Sequence, residues 1–205
     1  MVSIINYGMG NIRSVYNALN FIKVDCRIVN SAAEILESEK LILPGVGSFR
    51  MAMDNIKNRG LFDAINEAVL IKKNYILGIC LGMQLFADEG EEDGLTKGFG
   101  WIPAAAKRFP AQVLGIKIPH IGFNRVYFQG TPVNLFKGLG ESADFYFVHS
   151  YRMVCLEQEK YSSSWANYGE RFIASVQYKN IFGTQFHPEK SLSNGLVVLR
   201  NFCQL

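Results

Sequence analysis

The stretch YILGICLGMQLF, residues 75–86, constrains the fold of this chain more than any other. An apolar run ends in Gly-Ile-Cys-Leu-Gly, and a helix-like pattern begins at once. A buried strand that turns directly into a helix is the building unit of a parallel sheet with helices on both faces. The turn itself carries chemistry. Gly78 and Gly82 flank Cys80 in the frame of a strained elbow, where small neighbours let the central side chain rise out of the sheet. A helix starting at Leu81 would aim free N–H groups and its positive dipole end at the sulfur, favouring the reactive thiolate. The Leu81 N–H would also lie close to an oxyanion formed by attack at Cys80. A core cysteine with incidental glycines is the plainer alternative, and the elbow frame weighs against it.

The rest of the first half supports the same architecture. VSIINY reads as a buried strand, and NIRSVYNALNFIK follows with Ile12, Val15, Leu19 and Ile22 at helical spacing. CRIVN is strand-like, and Ser31 with Glu34 has the spacing of a capping box at the start of SAAEILESE. KLILPGVG is a further apolar strand. FRMAMDNIKNRGLFDAINEAVLIKK contains one or two helices, broken near Gly60, and LGMQLFADEG reads as a helix ending in acidic residues. From about Gly94 to Phe186 the pattern changes to short alternating segments, RVYFQ, FYFVHSYRMV and FIASVQYKNIFGTQF, which predict strands and hairpins. SLSNGLVVLRNFCQL is helical in pattern, with Gly195 as a weak point. The expectation is an α/β fold over a single domain, residues 1–205. Its open, mostly parallel central sheet is flanked by helices, with additional antiparallel strands in the second half.

Composition excludes several classes. Net charge is only +3 and no Lys/Arg run suggests a nucleic-acid or membrane surface. No apolar run approaches the ~20 residues that span a bilayer, and the N-terminus lacks the pattern of a signal peptide. Four scattered cysteines, Cys26, Cys80, Cys155 and Cys203, form no CxxC pair and have no histidine at ligand spacing. Reduced thiols in a cytoplasmic protein without metal are expected, with Cys26, Cys155 and Cys203 as packing residues.

Ligands of open α/β sheets bind beyond the carboxyl ends of the strands. Three glycine-bearing segments fall there: GMGN (8–11), PGVG (44–47) and GICLG (78–82). GMGN carries Arg13 where a dinucleotide fingerprint would have its third glycine, so nucleotide binding is disfavoured. A cysteine nucleophile needs a base and a group to orient it. Among three histidines, His187 lies in GTQFHPEKS at the end of a predicted strand, and Glu189 two residues on could fix its tautomer. His149, in alternating FYFVHSY, reads as structural or as an interface group, and His120 stands outside catalysis.

GICLGMQLF, PGVGSF, FVHSY and GTQFHPEKS, in this order, resemble the class I, or triad, glutamine amidotransferases, nearly end to end. NYGMGNIRSV, Met83 after CLG and IPHIGFNRV are similar, more narrowly, to the glutaminase subunits of imidazole glycerol phosphate synthases. The resemblance implies that Cys80 attacks the amide of glutamine, His187 moves the protons and Glu189 orients His187. It implies an oxyanion hole from Leu81 with Val46 or Gly47, after a backbone rearrangement in PGVG. Glutamine would be held by Gly45, Gln84, Ser150 and Tyr151, with Glu92 meeting its α-ammonium; a solvated acidic loop is the plainer reading of DEGEED.

No cofactor or metal is implied. The implied partner is a (β/α)8-barrel cyclase subunit in a heterodimer, met through Asn11, Phe123 and Asn124 and supplied with ammonia for histidine biosynthesis. Phe123 stands where that group has tryptophan, Ile121 where it has methionine and Asn6 where aspartate is common. These departures leave a second reading open: a paralogous glutaminase subunit supplying ammonia for nucleotide-sugar amidation in surface-polysaccharide biosynthesis.

Overall fold

The computed structural model describes residues 1–110, 112, 115–128, 134–155 and 157–205. In chain order the first half contains β1 (Val2–Ile5), α1 (Ile12–Phe21), β2 (Cys26–Val29), α2 (Ala32–Leu36), β3 (Lys40–Gly45), α3 (Phe49–Asn58) and α4 (Phe62–Asn66). A π-helical turn (Glu67–Ile71) leads to β4 (Tyr75–Cys80) and the short α5 (Leu81–Gln84). Strands β5 (Ala87–Gly90), β6 (Thr96–Lys97), β7 (Ile102–Arg108), β8 (His120–Phe128), β9 (Ser142–His149) and β10 (Tyr151–Cys155) follow. The chain continues through α6 (Gln158–Tyr161), β11 (Ser162–Tyr168), β12 (Glu170–Tyr178), β13 (Ile181–Thr184) and α7 (Leu192–Cys203).

Nine strands form the central sheet in the order β2-β1-β3-β4-β13-β12-β11-β8-β9. The first five run parallel, and the remaining four extend the same sheet antiparallel. β1 is buried throughout, as are β3 and β4 after their first residues. That burial on both faces is why their sequences are continuous apolar runs. Two apolar clusters cover the two faces, one around Phe49, Ile65 and Phe86, the other around Leu19, Phe145 and Phe202.

Local signals act as read. Ser31 and Glu34 form both arms of the capping box, Glu34 N–H donating to Ser31 Oγ (3.4 Å) and Ser31 N–H to Glu34 Oε2 (3.0 Å). Gly60, at φ +66°, separates α3 from α4. Gly195 sits inside α7 because a Cβ there would come 1.8 Å from the Pro188 carbonyl oxygen, so the glycine permits close packing. The strand predicted at RVYFQ is the end of β8 up to Phe128; Gln129 lies outside the described residues.

Two elements differ from expectation. LGMQLFADEG is not one helix: α5 ends at Gln84, and Ala87–Gly90 is β5 of a second, four-stranded sheet ordered β10-β7-β5-β6. The cause is competition for carbonyls. Leu85 O accepts from Phe99 N–H (2.8 Å), Phe86 O from Trp101 N–H (2.9 Å) and Asp88 O from Gly98 N–H (2.9 Å). Backbone groups distant in sequence thereby draw residues 85–88 away from a helical ladder. FYFVHSYRMV likewise breaks at Ser150 into β9 of the central sheet and β10 of the small one. Among the described residues no helix is long and apolar enough to cross a membrane.

Candidate active site

After β1 the chain goes to β2 on one side, and then to β3 on the other. Such a switch opens a crevice beyond the carboxyl ends of the strands. The three glycine-bearing loops meet there. Met9 packs close to Gly47, and Gly10 lies against Pro44. Gly45, the last residue of β3, is the register partner of Cys80.

Cys80 sits at φ 54°, ψ −108°, a conformation that is costly for a side chain other than glycine. Its neighbours show why the frame needs glycine. A Cβ on Gly82 would lie 1.9 Å from Leu43 O, and one on Gly78 would lie 2.7 Å from the Gly82 carbonyl group. A Cβ on Gly45 would meet the Gly82 nitrogen at 2.6 Å. The glycines are therefore required by close backbone approach, and the elbow they permit presents the thiol at the end of β4. Because α5 has only four residues, its macrodipole is small. Its contribution is local: Leu81 is the first residue of the turn, and such a position leaves an N–H without an intrahelical partner.

His187 follows β13 and is clamped by its backbone. Its N–H donates to Tyr146 O (2.9 Å), and its carbonyl accepts from Ser191 Oγ (2.6 Å). Pro188 opens a 3-10 turn that folds Glu189 under the ring, so that His187 Nδ1 meets Glu189 Oε1 at 2.8 Å, both side chains 1% exposed. His187 Nε2 is buried with no hydrogen-bond partner and is the ring atom left to face Cys80. Burial acts to lower the pKa of the imidazole. The Cys80 sulfur and the Glu189 carboxylate beside the ring outweigh it and push His187 up to about 10.

In front of the sulfur is a cavity of about 510 Å³. Of the residues expected there, Val46, Gly47, Cys80, Leu81, Gln84, Glu92, Ser150 and Tyr151 line it. His187, Glu189 and Gly45 lie behind that surface. Val46 is 40% exposed and Gly47 adopts φ +97°, a region open to glycine. Glu92 accepts from Phe49 N–H (3.3 Å), and burial in the cleft raises its carboxyl pKa. Sequence reasoning missed Ser48, Pro119, Val148 and Lys190 in the lining, and it set His149, which also lines the cleft, apart as structural. It also missed Gln185, whose Nε2 donates to Cys80 Sγ at 3.6 Å and whose Oε1 accepts from Gln84 Nε2 at 3.0 Å. A glutamine two residues before the histidine at a strand end was the available signal. Asn11, Phe123 and Asn124 do not line this cavity; Asn11 immediately precedes α1 without a side-chain capping bond and accepts from Ser14 Oγ (2.7 Å).

The family model of the class-I glutamine amidotransferases matches residues 3–204. The chain belongs to this family. The amidotransferase is 43% identical, over the whole length of both chains, to imidazole glycerol phosphate synthase subunit HisH 1 of Campylobacter jejuni (strain RM1221). It is 42% identical to the chloroplastic imidazole glycerol phosphate synthase hisHF of Arabidopsis thaliana, matching 98% of this chain and 34% of that one. A crystal structure described as a glutamine amidotransferase superimposes with a TM-score of 0.76 at 17% identity, covering 100% of this chain and 98% of the other, a likeness of fold. The amidotransferase thus combines a family fold with a thiol, an imidazole and a carboxylate, arranged in that order from the cleft inward.

Proposed function

We propose that this chain is the glutaminase subunit of an imidazole glycerol phosphate synthase, hydrolysing glutamine to glutamate and ammonia and passing the ammonia to a (β/α)8-barrel cyclase subunit. The observation that carries the chemistry is Cys80 on its strained elbow, with the free face of the Glu189-bound His187 turned toward it. The Cys80 sulfur attacks the side-chain carboxamide carbon. The negative charge that develops on oxygen meets Leu81 N–H and, after reorientation of the Val46–Gly47 backbone, a second amide. His187 gives a proton to the departing nitrogen, which leaves as ammonia, and a glutamyl thioester remains. Water, deprotonated by His187, then attacks the thioester carbonyl, releasing glutamate and restoring the thiolate. Glu189 holds the imidazole in the tautomer that keeps Nε2 free for both transfers. Gly45, Gln84, Ser150 and Tyr151 position the substrate, and Glu92 meets its α-ammonium.

The partner surface is supported by exposure. Ile121, Phe123 and Tyr127 on β8 are 60%, 53% and 51% exposed and share one face of the strand, with the Arg125–Asp144 ion pair between Phe123 and Tyr127. The first of them comes two residues after Pro119, which lines the cleft. An ammonia-receiving subunit seated on these side chains would lie beside the cavity, whereas the Asn124 side chain points to the opposite face of β8, toward His120.

Glutamate release from glutamine, measured with and without a histidine-pathway barrel subunit and its ribotide ligand, tests the reading. Large stimulation by the complete mixture, with imidazole glycerol phosphate formed, is expected. A protein whose Cys80 reacts with a glutamine-analogue electrophile but which no barrel subunit stimulates would keep the glutaminase and remove the histidine-pathway partner.

A further inference from the structure

His120 and His149 are not neighbours in sequence, yet they stand directly opposite each other in the β8–β9 register. Their rings meet, His120 Nδ1 lying 3.0 Å from His149 Nε2. Both are buried among aromatic rings. His120 lies between Phe147 (4.8 Å, 24° between planes) and Tyr168 (4.1 Å, 21°), and Phe109 and Phe172 each approach His149 at 5.4 Å. The direction of every hydrogen bond is fixed by the two ends. His149 Nδ1 lies 2.8 Å from the carbonyl oxygen of Tyr151, which can only accept, so Nδ1 carries the proton and Nε2 accepts from His120. His120 Nε2 must then accept, and Asn124 Nδ2 donates to it at 3.2 Å while also donating to Asn167 O at 2.9 Å. The Tyr151 carbonyl receives a second donor, Gln84 Nε2 at 3.0 Å, from the side of the nucleophile. Gln84 bonds Gln185, and Gln185 Nε2 points at the Cys80 sulfur.

An unbroken chain of directed hydrogen bonds therefore runs from half-buried Asn124, on the face of β8 opposite Phe123, to the nucleophile. With Asn124 donating at one end and the Tyr151 carbonyl accepting at the other, the pattern needs both imidazoles neutral, and burial in the aromatic box favours this, pushing His120 down to about 4 and His149 to about 3. A satisfied, largely buried network favours one geometry, because breaking a link between the buried rings strands a polar group.

We infer that His120 and His149 form a positioning relay that sets the Tyr151 carbonyl, and through Gln84 and Gln185 the Cys80 sulfur, from the surface at Asn124. It deepens the glutaminase reading, on which it rests only for the activity measurement. The relay gives a partner that touches Asn124 a physical route to the thiol, separate from the PGVG backbone.

The test uses the full chain and reads alkylation of Cys80 by iodoacetamide, followed by mass spectrometry of the Cys80 peptide, beside kcat and KM for glutamine in the partner complex. His120→Leu keeps an apolar body in the box and removes the donor; His120→Asn returns an N–H where Nδ1 stood. Alkylation and kcat are expected to fall about tenfold in His120→Leu, with KM within about threefold. His120→Asn is expected to recover most of the loss, and Asn124→Ala, at the half-buried end, to lose about threefold. Wild-type alkylation in His120→Leu, or a His120→Asn no better than His120→Leu, overturns the relay. Should His120→Leu not fold, Asn124→Ala decides, and an unchanged alkylation rate overturns it. Absence of glutamate release by the wild-type complex would count against the glutaminase reading alone, since alkylation reports on the sulfur without substrate.

Discussion

His187 and His149, 1% and 5% exposed, are buried to a similar degree, and burial disfavours the imidazolium of each. Their charges nevertheless diverge. His187 sits between the Glu189 carboxylate and the Cys80 sulfur and is pushed up to about 10, whereas His149, with His120, sits among aromatic rings and is pushed down to about 3. The difference teaches that partners, rather than depth, assign the roles. A histidine between a carboxylate and a reactive sulfur can hold a proton for transfer, and one whose neighbours are a carbonyl and a second imidazole can only maintain a fixed pattern of donors.

The comparison breaks most severely at Cys80. Cys80→Ala should abolish glutamine hydrolysis, a loss of at least about 10⁴-fold. It also removes the largest influence raising His187, so the ring should titrate lower by NMR while His149 stays neutral. An unmoved His187 would mean that Glu189 alone sustains the imidazolium. Glu189→Gln should lower kcat by about 10²-fold, because the amide can present either end to Nδ1 and no longer enforces one tautomer. Activity retained in full would remove Glu189 from the mechanism.

Stability should respond to pH in opposite directions for the two sites. Between 6.5 and about 10 the folded state holds a proton on His187 that the unfolded chain has lost, so this contribution is complete below pH 6.5 and fades as pH rises. Between 6.5 and about 4 the unfolded chain protonates the histidines that the folded state keeps neutral at 120 and 149, so stability falls as pH drops. His120→Leu should shrink the fall in Tm between pH 7 and pH 4.5 by about 3 °C; the same fall in both proteins would place the acid sensitivity elsewhere. The smallest effect is expected at Tyr168, which covers one face of His120. Tyr168→Leu should let the ring titrate slightly higher, by less than about one unit, in an NMR titration. A downward movement would show that the ring is held neutral by something other than its aromatic cover.

Much of the site was legible because its signals are local. The frame around Cys80 is written in adjacent glycines, and His187 and Glu189 are two residues apart across one proline. Gln185 and the His120–His149 pair were not legible. Nothing local tells that a glutamine will aim at a sulfur 105 positions away, or that two histidines 29 apart will face each other across a register. The misread helix at LGMQLFADEG has the same origin: its pattern favoured a helix, and carbonyl partners at 98–102 were not visible in it.

By itself, then, the amino-acid order determined the parallel α/β core, the elbow and the identity of thiol, imidazole and carboxylate, since these follow from periodicity, from steric exclusion at glycine and from short spacing. Only the tertiary structure decided which strands continue the sheet, where the chain leaves helix for the second sheet, and which buried histidine is charged. Those outcomes depend on backbone pairings and electrostatic neighbours that exist only after distant segments have met and water has been excluded between them.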